Sequence, residues 1–160
     1  YHKDLGISYV INFDTGIGGT GNQYWGTAAQ TASQFKLGTD SDTNGSGDSY
    51  TAYLFATLSG ISKVGSYAGN GADGRVIDCG FSSGARFVLI KSSSHSGSWF
   101  VFDTTRGIVS GNDPRGHFNN TDADYTSADY LDPSSSGFIV NNTNGDLNDS
   151  GRSYIFYAIA

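Results

Sequence analysis

Short runs of β-branched and aromatic residues, each ended by Gly, Asn, Asp or Ser, occupy most of this 160-residue chain. Such runs are typical of strands joined by tight turns, and no stretch sustains the 3.6-residue apolar period of a helix. The nearest exception, residues 27–35, predicts at most one helical turn. We predict strands over residues 8–14, 33–39, 49–56, 63–69, 75–81, 86–91, 98–104, 137–141 and 152–160. This pattern indicates an all-β fold, an antiparallel β-sandwich of the jelly-roll or concanavalin-like type.

An internal repeat is the second strong constraint. Residues 33–56 align with residues 136–160, with one residue inserted in the second copy. Asn44 matches Asn148, and the string SGDSYTAY matches SGRSYIFY. A match of this length and order predicts an internal duplication.

The duplication divides the chain unevenly. Residues 1–58 correspond to the C-terminal half of a first repeat, and residues 59–160 to a complete second repeat. We expect the two to pack as one β-sandwich unit. A strand without neighbours leaves backbone groups unpaired, so the first half is expected either to belong to a longer repeat protein or to take its strand pairing from the second half.

Composition excludes several partners. The net charge is -6 with nine scattered Lys and Arg residues, which argues against a nucleic-acid partner because phosphate binding needs clustered positive charge. One cysteine, Cys79, rules out a disulfide framework and a thiolate zinc cluster, and its apolar surroundings predict a small buried hydrophobe. No apolar run approaches the roughly 20 residues of a membrane span, so we expect no membrane insertion.

Catalytic motifs are weak. The string GFSSG would place Ser82 as a nucleophile, but that motif needs a following helix and ARFVLIK is strand-like. The acidic residues are mostly Asp in turns, where Asp bonds its own backbone. We therefore predict no enzyme. A carbohydrate-active enzyme is the alternative, and it would show two carboxylates roughly 5–10 Å apart in a cleft.

The loop GTDSDTNGSGDSY has the opening spacing of a calcium loop, with Asp40, Asp42, Asn44 and Asp48 as candidate ligands. Its counterpart in the second copy has lost most of the negative charge, and Arg152 stands where Asp48 would bind the cation. We therefore predict a polar turn as the shared role, no cofactor, and calcium as the alternative at the first copy.

Three aromatic residues are candidate glycan-binding residues: Tyr24, Trp25 and Trp99. Flat aromatic faces beside amides and hydroxyls suit sugars, because sugar C–H faces stack while hydroxyls form hydrogen bonds. Trp25 lies in a polar stretch and is the one expected to be exposed. Trp99 lies in an alternating strand, for which a core position is the simpler interpretation.

The strings GSYAGNGADG, GFSSGARFVLIK, WFVFDTTRG and SSSGFIVNNTNGDLNDSGRSYIFYAIA are moderately specific together. They resemble the repeated C-terminal β-domains of phage (cyanophage-like) tail-fibre and virion structural proteins. The resemblance covers essentially the whole chain, although GFSSGARFV lacks the proline that is usual there. It supplies no catalytic residues.

What the resemblance implies is a lectin-like β-sandwich on the virion surface, acting in a tail fibre, in capsid decoration or as a passive structural part. Its expected partners are other virion proteins, further copies of the chain and host-surface glycans bound weakly and multivalently. A subunit of a bacterial extracellular filament, polymerised through exchanged strands, is the remaining alternative.

Overall fold

The computed structural model describes residues 1–13, 20–141 and 146–160. All the strands in these residues lie in the predicted second repeat, residues 59–160. The elements are a short helix, α1 (Ser41–Asn44), and eight strands: β1 (Ser62–Ala68), β2 (Arg75–Asp78), β3 (Phe87–Ser92), β4 (Trp99–Asp103), β5 (Gly116–His117), β6 (Leu131–Ser134), β7 (Gly137–Val140) and β8 (Ser153–Ile159).

The strands form two antiparallel sheets. The larger sheet has the order β1-β8-β3-β4-β5 and the smaller sheet the order β2-β7-β6. The prediction of an antiparallel β-sandwich is therefore confirmed. In one sheet β1 pairs with β8, and in the other β2 pairs with β7, which resembles the pairing in a jelly roll. The β3–β4 hairpin departs from that pattern, because both of its strands lie in the same sheet. The jelly-roll or concanavalin-like subtype and the internal duplication stay predictions.

The core lies between the two sheets because every second residue of the main strands points inward. Val88 and Ile90 of β3 and Phe138 of β7 are all buried, each at 0% exposure. Phe138 meets Phe156 of β8 edge to face, with ring centroids 5.4 Å apart. Each such side chain contributes about 1.5–3 kcal/mol by leaving water. Gly65 of β1 faces Phe156 so closely that a Cβ there would lie 2.6 Å from the ring, so this position requires glycine.

Six of the nine predicted strands are confirmed, with ends that differ by a few residues. Their cores are aromatic or β-branched, and neighbouring strands pair with them over most of their length. The confirmed segments are 63–69, 75–81, 86–91, 98–104, 137–141 and 152–160.

The three strand predictions in the first 58 residues are wrong over the residues that the structure describes. Residues 33–39 and 49–56 have no ladder partner, and within 8–13 only Tyr9 makes an isolated bridge, to Thr20. These segments have strand-like sequences but no neighbouring strands, and a strand is defined by its pairing.

Residues 27–35, for which the sequence allows at most one helical turn, contain none. The single turn is instead α1, where the Asp40 side chain accepts a hydrogen bond from the Asp42 amide and so caps the first turn. No helix in the described residues is long and apolar enough to cross a membrane.

Two strands were missed for identifiable reasons. The β5 strand has only two residues. The β6 strand contains Pro133, which lacks an amide hydrogen and therefore argues against a strand in the sequence. However, β6 is an edge strand of its sheet, where proline is tolerated.

Asp113 and Cys79 are both buried in the sandwich. The Asp113 carboxylate accepts hydrogen bonds from the Val109, Tyr130 and Leu131 amides at 3.1, 2.9 and 2.7 Å, which ties the β4–β5 connection to the start of β6. Burial raises the pKa of this carboxyl, while those three amides oppose the rise. Cys79 is only 6% exposed, so the prediction of a buried cysteine is confirmed, and burial raises the pKa of its thiol to about 11.

Candidate functional site

A wide groove separates the first 58 residues, here the N-terminal segment, from the outward face of the five-stranded sheet. It encloses about 1710 Å³. Small-molecule sites usually enclose about 300–1,000 Å³. The groove therefore has room for an extended ligand. We refer to it as the aromatic groove.

One wall of the aromatic groove is the sheet itself. Residues of β1, β3, β4 and β8 that alternate with the core residues point to this outward face. Many of them are apolar although they lie on the side away from the core, because FVLI in β3 and YIFYAI in β8 are nearly continuous apolar runs. The residues that line the groove from this face include Val64, Phe87, Leu89, Trp99, Ile155, Tyr157 and Ile159.

The opposite wall comes from the N-terminal segment, whose described residues, 1–13 and 20–58, add no strand to the sheet. Its side chains toward the groove are again mainly aromatic or aliphatic. They include Tyr1, Tyr9, Ile11, Phe13, Trp25, Phe35 and Leu37, together with residues 50–57.

Trp99 lies on the outward face of β4 rather than in the core. Phe100 and Phe102 take the inward positions of the same strand, at 4% and 0% exposure, so the core interpretation of Trp99 is wrong. The indole stacks at a tilt on Phe13, with centroids 4.7 Å apart. Its Nε1–H donates to the Asn12 carbonyl at 3.1 Å, which fastens the N-terminal segment to the sheet.

Trp25 lines the same groove and is half-buried rather than freely exposed. Its Nε1–H donates to the Tyr9 carbonyl at 2.9 Å, and its ring meets Tyr1 edge on at 5.9 Å. The neighbouring Tyr24 is also half-buried but is not among the residues that line the groove. The structure thus brings two of the three predicted glycan-binding residues to one cavity and leaves Tyr24 outside it.

Charged groups are sparse in the aromatic groove. Three carboxylates line it, those of Asp4, Asp42 and Asp78. Burial favours the neutral form of Asp4, but hydrogen bonds from Lys3 and Ser66 outweigh it and lower the pKa of the carboxyl below its usual range. A glycosidase acid needs the opposite shift. Burial also lowers the pKa of His2, whose Nδ1 accepts a hydrogen bond from the Asp4 amide at 3.2 Å.

The calcium-like loop holds its polar side chains in internal hydrogen bonds. Asp40 caps α1 as described above, and the Asn44 side chain donates to the Gly38 carbonyl at 2.8 Å. The Tyr50 hydroxyl accepts from the Gly45 amide at 2.7 Å and lies 3.4 Å from an Asp48 carboxylate oxygen. This arrangement is that of an ordered turn.

The equivalent turn of the second copy repeats one of these bonds. The Tyr154 hydroxyl accepts from the Asp149 amide at 2.9 Å, at the positions that match Tyr50 and Gly45. Glycine with positive φ occurs at the same place in both turns, Gly47 at 86° and Gly151 at 83°. Arg152 pairs with Asp149 at 2.9 Å. Asn144, the counterpart of Asp40, lies outside the described residues.

No group of three or more His, Cys, Asp or Glu side chains that could hold a metal ion occurs in residues 1–13, 20–141 and 146–160. Calcium at Asp40, Asp42, Asn44 and Asp48 stays a prediction. Calorimetric titration of the wild type and Asp40→Ala with calcium tests it, and the hypothesis requires heat that the variant loses.

Sequence reasoning missed most of the groove. The outward apolar residues Val64, Leu89 and Tyr157 were assigned only to strands, not to a second apolar surface. The signal was present, because a strand covered on both faces reads as a continuous apolar run, whereas a half-solvated one alternates. The groove can hold an apolar or aromatic-stacking ligand or a further layer of chain.

A family model matches the whole chain, residues 1–160; it is DUF7483, described as a domain of unknown function. Neither the curated proteins nor the solved structures contain a significant match.

Proposed function

We propose that this chain, which belongs to the DUF7483 family of domains of unknown function, is a non-enzymatic structural and adhesion module of a phage virion. It is displayed on a tail fibre or on the capsid surface, among other virion proteins and further copies of itself. Two things support the proposal: the sequence strings that resemble virion repeats, and a β-sandwich that carries an aromatic groove. The observation that carries the adhesion role is that Trp25 and Trp99 line one groove.

The groove suits an extended glycan. Both indole N–H groups are already donated to backbone carbonyls, so the ring faces and edges, rather than the N–H groups, are what the tryptophans offer to a ligand. Aromatic faces stack on the C–H faces of sugar rings. Polar side chains along the groove, among them Asp42, Thr43 and Lys63, supply hydrogen-bond partners for sugar hydroxyls. With few such partners, each site binds weakly, and many copies on one particle raise the avidity.

Glycan arrays probed with a multivalent preparation of the chain test the adhesion role. We expect binding by the wild type and its loss in Trp25→Ala and Trp99→Ala. Tyr24→Ala is the matched control, because Tyr24 neighbours Trp25 but does not line the groove. Trp25→Phe keeps a stacking ring while it removes the N–H bond to Tyr9, so retained binding by this variant separates stacking from support of the N-terminal segment. Absence of wild-type binding leaves only the structural role.

Immunogold labelling of the native particle tests the location. Label on tail fibres or on the capsid surface is the expected result, and it also separates these two positions. Label confined to the host cell would overturn the virion assignment.

A subunit of a bacterial extracellular filament is a second candidate, favoured by one observation. Residues 49–56 have a strand-like sequence but pair with no strand among the residues that the structure describes, which is the condition for polymerisation by exchanged strands. Electron microscopy of the purified assembly distinguishes the two, because a filament without an attached particle supports only the second candidate.

A further inference from the structure

Residues 49–56, which follow the turn of the first repeat copy, differ in strand pairing from β8, which follows the matching turn of the second copy. In the second copy, the shared turn leads into β8, which pairs with β1 on one side and with β3 on the other. In the first copy, the same turn leads into residues 49–56. Within the part of the chain that the structure describes, no backbone N–H or C=O of residues 49–55 takes part in a hydrogen bond. Both edges of this segment are therefore free.

Three of its side chains are largely exposed. Tyr53, Leu54 and Phe55 are 80%, 74% and 61% exposed. Three consecutive large apolar residues on a surface mark a contact site rather than an ordinary polar loop. The Phe55 ring packs at a tilt on Tyr157 of the sheet, with centroids 4.8 Å apart. The composition, rich in Tyr, Thr and Phe, favours a strand.

The repeat indicates what covers the segment. Tyr50 and Leu54 align with Tyr154 and Ala158 of β8, and both of these are 0% exposed between the neighbouring strands and the second sheet. The β8 backbone is satisfied by seven residue pairs with β1 and six with β3. A segment with the same entry turn and the same strand-like sequence requires the same two neighbours.

We infer that residues 49–56 are a docking strand, which becomes the central strand of a second sheet when a partner supplies two strands of the β1 and β3 type. The partner is another β-sheet polypeptide that lacks its own central strand, and it recognises the segment by backbone pairing on both edges. This deepens the proposed assembly role, but it rests on the repeat and on the unpaired segment. It therefore stands or falls independently of the phage location and of glycan binding.

A chain extended at its N-terminus by a second copy of residues 59–101 tests the inference, because that stretch carries β1 to β3 and the first three residues of β4. We expect hydrogen exchange at the amides of residues 50–55 to slow by at least about 100-fold relative to the unextended chain, as ladder pairing protects amides. Protection of β8 in the same molecule reports that the resident sandwich is folded.

Leu54→Pro provides the matched control. Proline has no amide hydrogen and does not fit a central strand. In the extended chain it should abolish the new protection, whereas in the unextended chain it should leave β8 protection unchanged, since Leu54 is exposed there.

A synthetic peptide of residues 59–92, which carries β1 to β3, offers the same strands to the unmodified chain in trans. Protection of residues 50–55 by either the extension or the peptide supports the inference. Unprotected amides in both experiments, with β8 still protected, would overturn it. Protection that rises with the concentration of the unmodified chain alone would overturn the stated partner, because a second intact copy would then be sufficient.

Discussion

The turn at residues 44–50 and the turn at residues 148–154 have matching sequences but opposite surroundings. Both place a tyrosine hydroxyl on a backbone amide five residues earlier and a positive-φ glycine two residues before the Ser–Tyr pair. Asn148 is fully buried, however, and Asn44 is exposed. The difference shows that the local sequence is sufficient to form the turn, whereas the presence of neighbouring strands determines whether the residues that follow it form a strand.

The energetic consequence is an asymmetry between equivalent positions. Residues after the second turn pack in the sandwich core, so changes there act on buried groups. Residues after the first turn contact little of the rest of the chain, so the same changes act at the surface, where effects usually stay within about 0.5 kcal/mol. Four predictions test this asymmetry, from the largest expected effect to the smallest.

A carboxylate at Ala158 should have the largest effect. Ala158 is 0% exposed, and Ala158→Asp places a charge in the core without a partner, which costs about 3–5 kcal/mol or more. Leu54→Asp at the equivalent position should change stability by less than about 0.5 kcal/mol, because Leu54 is 74% exposed. Guanidinium unfolding monitored by circular dichroism measures both. Similar losses would show that residues 49–56 are packed as tightly as β8.

Truncation of the paired tyrosines should come next. Tyr154 is 0% exposed and stacks on Tyr67 with ring centroids 5.0 Å apart, so we expect Tyr154→Ala to cost about 3–5 kcal/mol. Tyr50 is 48% exposed, and Tyr50→Ala should cost about 1 kcal/mol through its hydroxyl bond to Gly45. The denaturant midpoints of the two variants measure these losses of stability. A larger loss for Tyr50→Ala than for Tyr154→Ala would contradict the asymmetry.

The paired asparagines should differ by a smaller amount. The Asn148 amide accepts from the Asn70 backbone at 3.0 Å and donates to the Asn70 side chain and the Ala72 carbonyl at 2.8 and 2.7 Å. Asn148→Ala leaves these groups unpaired and should lower the free energy of unfolding by about 2–3 kcal/mol. Asn44→Ala removes one exposed hydrogen bond to Gly38 and should lower it by about 0.5–1 kcal/mol. Thermal unfolding of both variants measures the difference, and equal shifts in Tm would count against it.

Alkaline pH should produce the smallest effect. Burial raises the pKa of Tyr154 above 10, so the unfolded chain loses this proton first and the folded state binds more protons. Stability should therefore fall as pH rises above 10. Tyr154→Phe should show a shallower fall, and Tyr67, whose pKa burial also raises, should account for part of the slope that remains. Unfolding curves between pH 9 and pH 11.5 measure the slopes, and an unchanged slope in the variant would refute this assignment.

How much could be read from the sequence differs between the fold and the site. Strands such as β3 and β8 were predicted because their apolar runs are long and bounded by turn residues. The β6 strand was missed because Pro133 argues against a strand unless the strand is known to lie at a sheet edge. Residues 49–56 were assigned as a strand because the sequence pattern alone does not show whether partner strands exist. Trp25 and Trp99 were both selected as glycan-binding candidates and both line the groove, but glycan binding stays a prediction. Trp99 was misplaced in the core because inward and outward positions differ by one residue of register.

By itself, the sequence determined the all-β class, the positions of the turns and six of the eight described strands of the second repeat, because alternation, turn glycines and capping side chains act over a few residues. Only the tertiary structure decided the sheet order, the outward apolar face and the exposure of residues 49–56. These depend on contacts between distant parts of the chain, such as the pairing of β1 with β8, and local patterns carry no information about which partner is present.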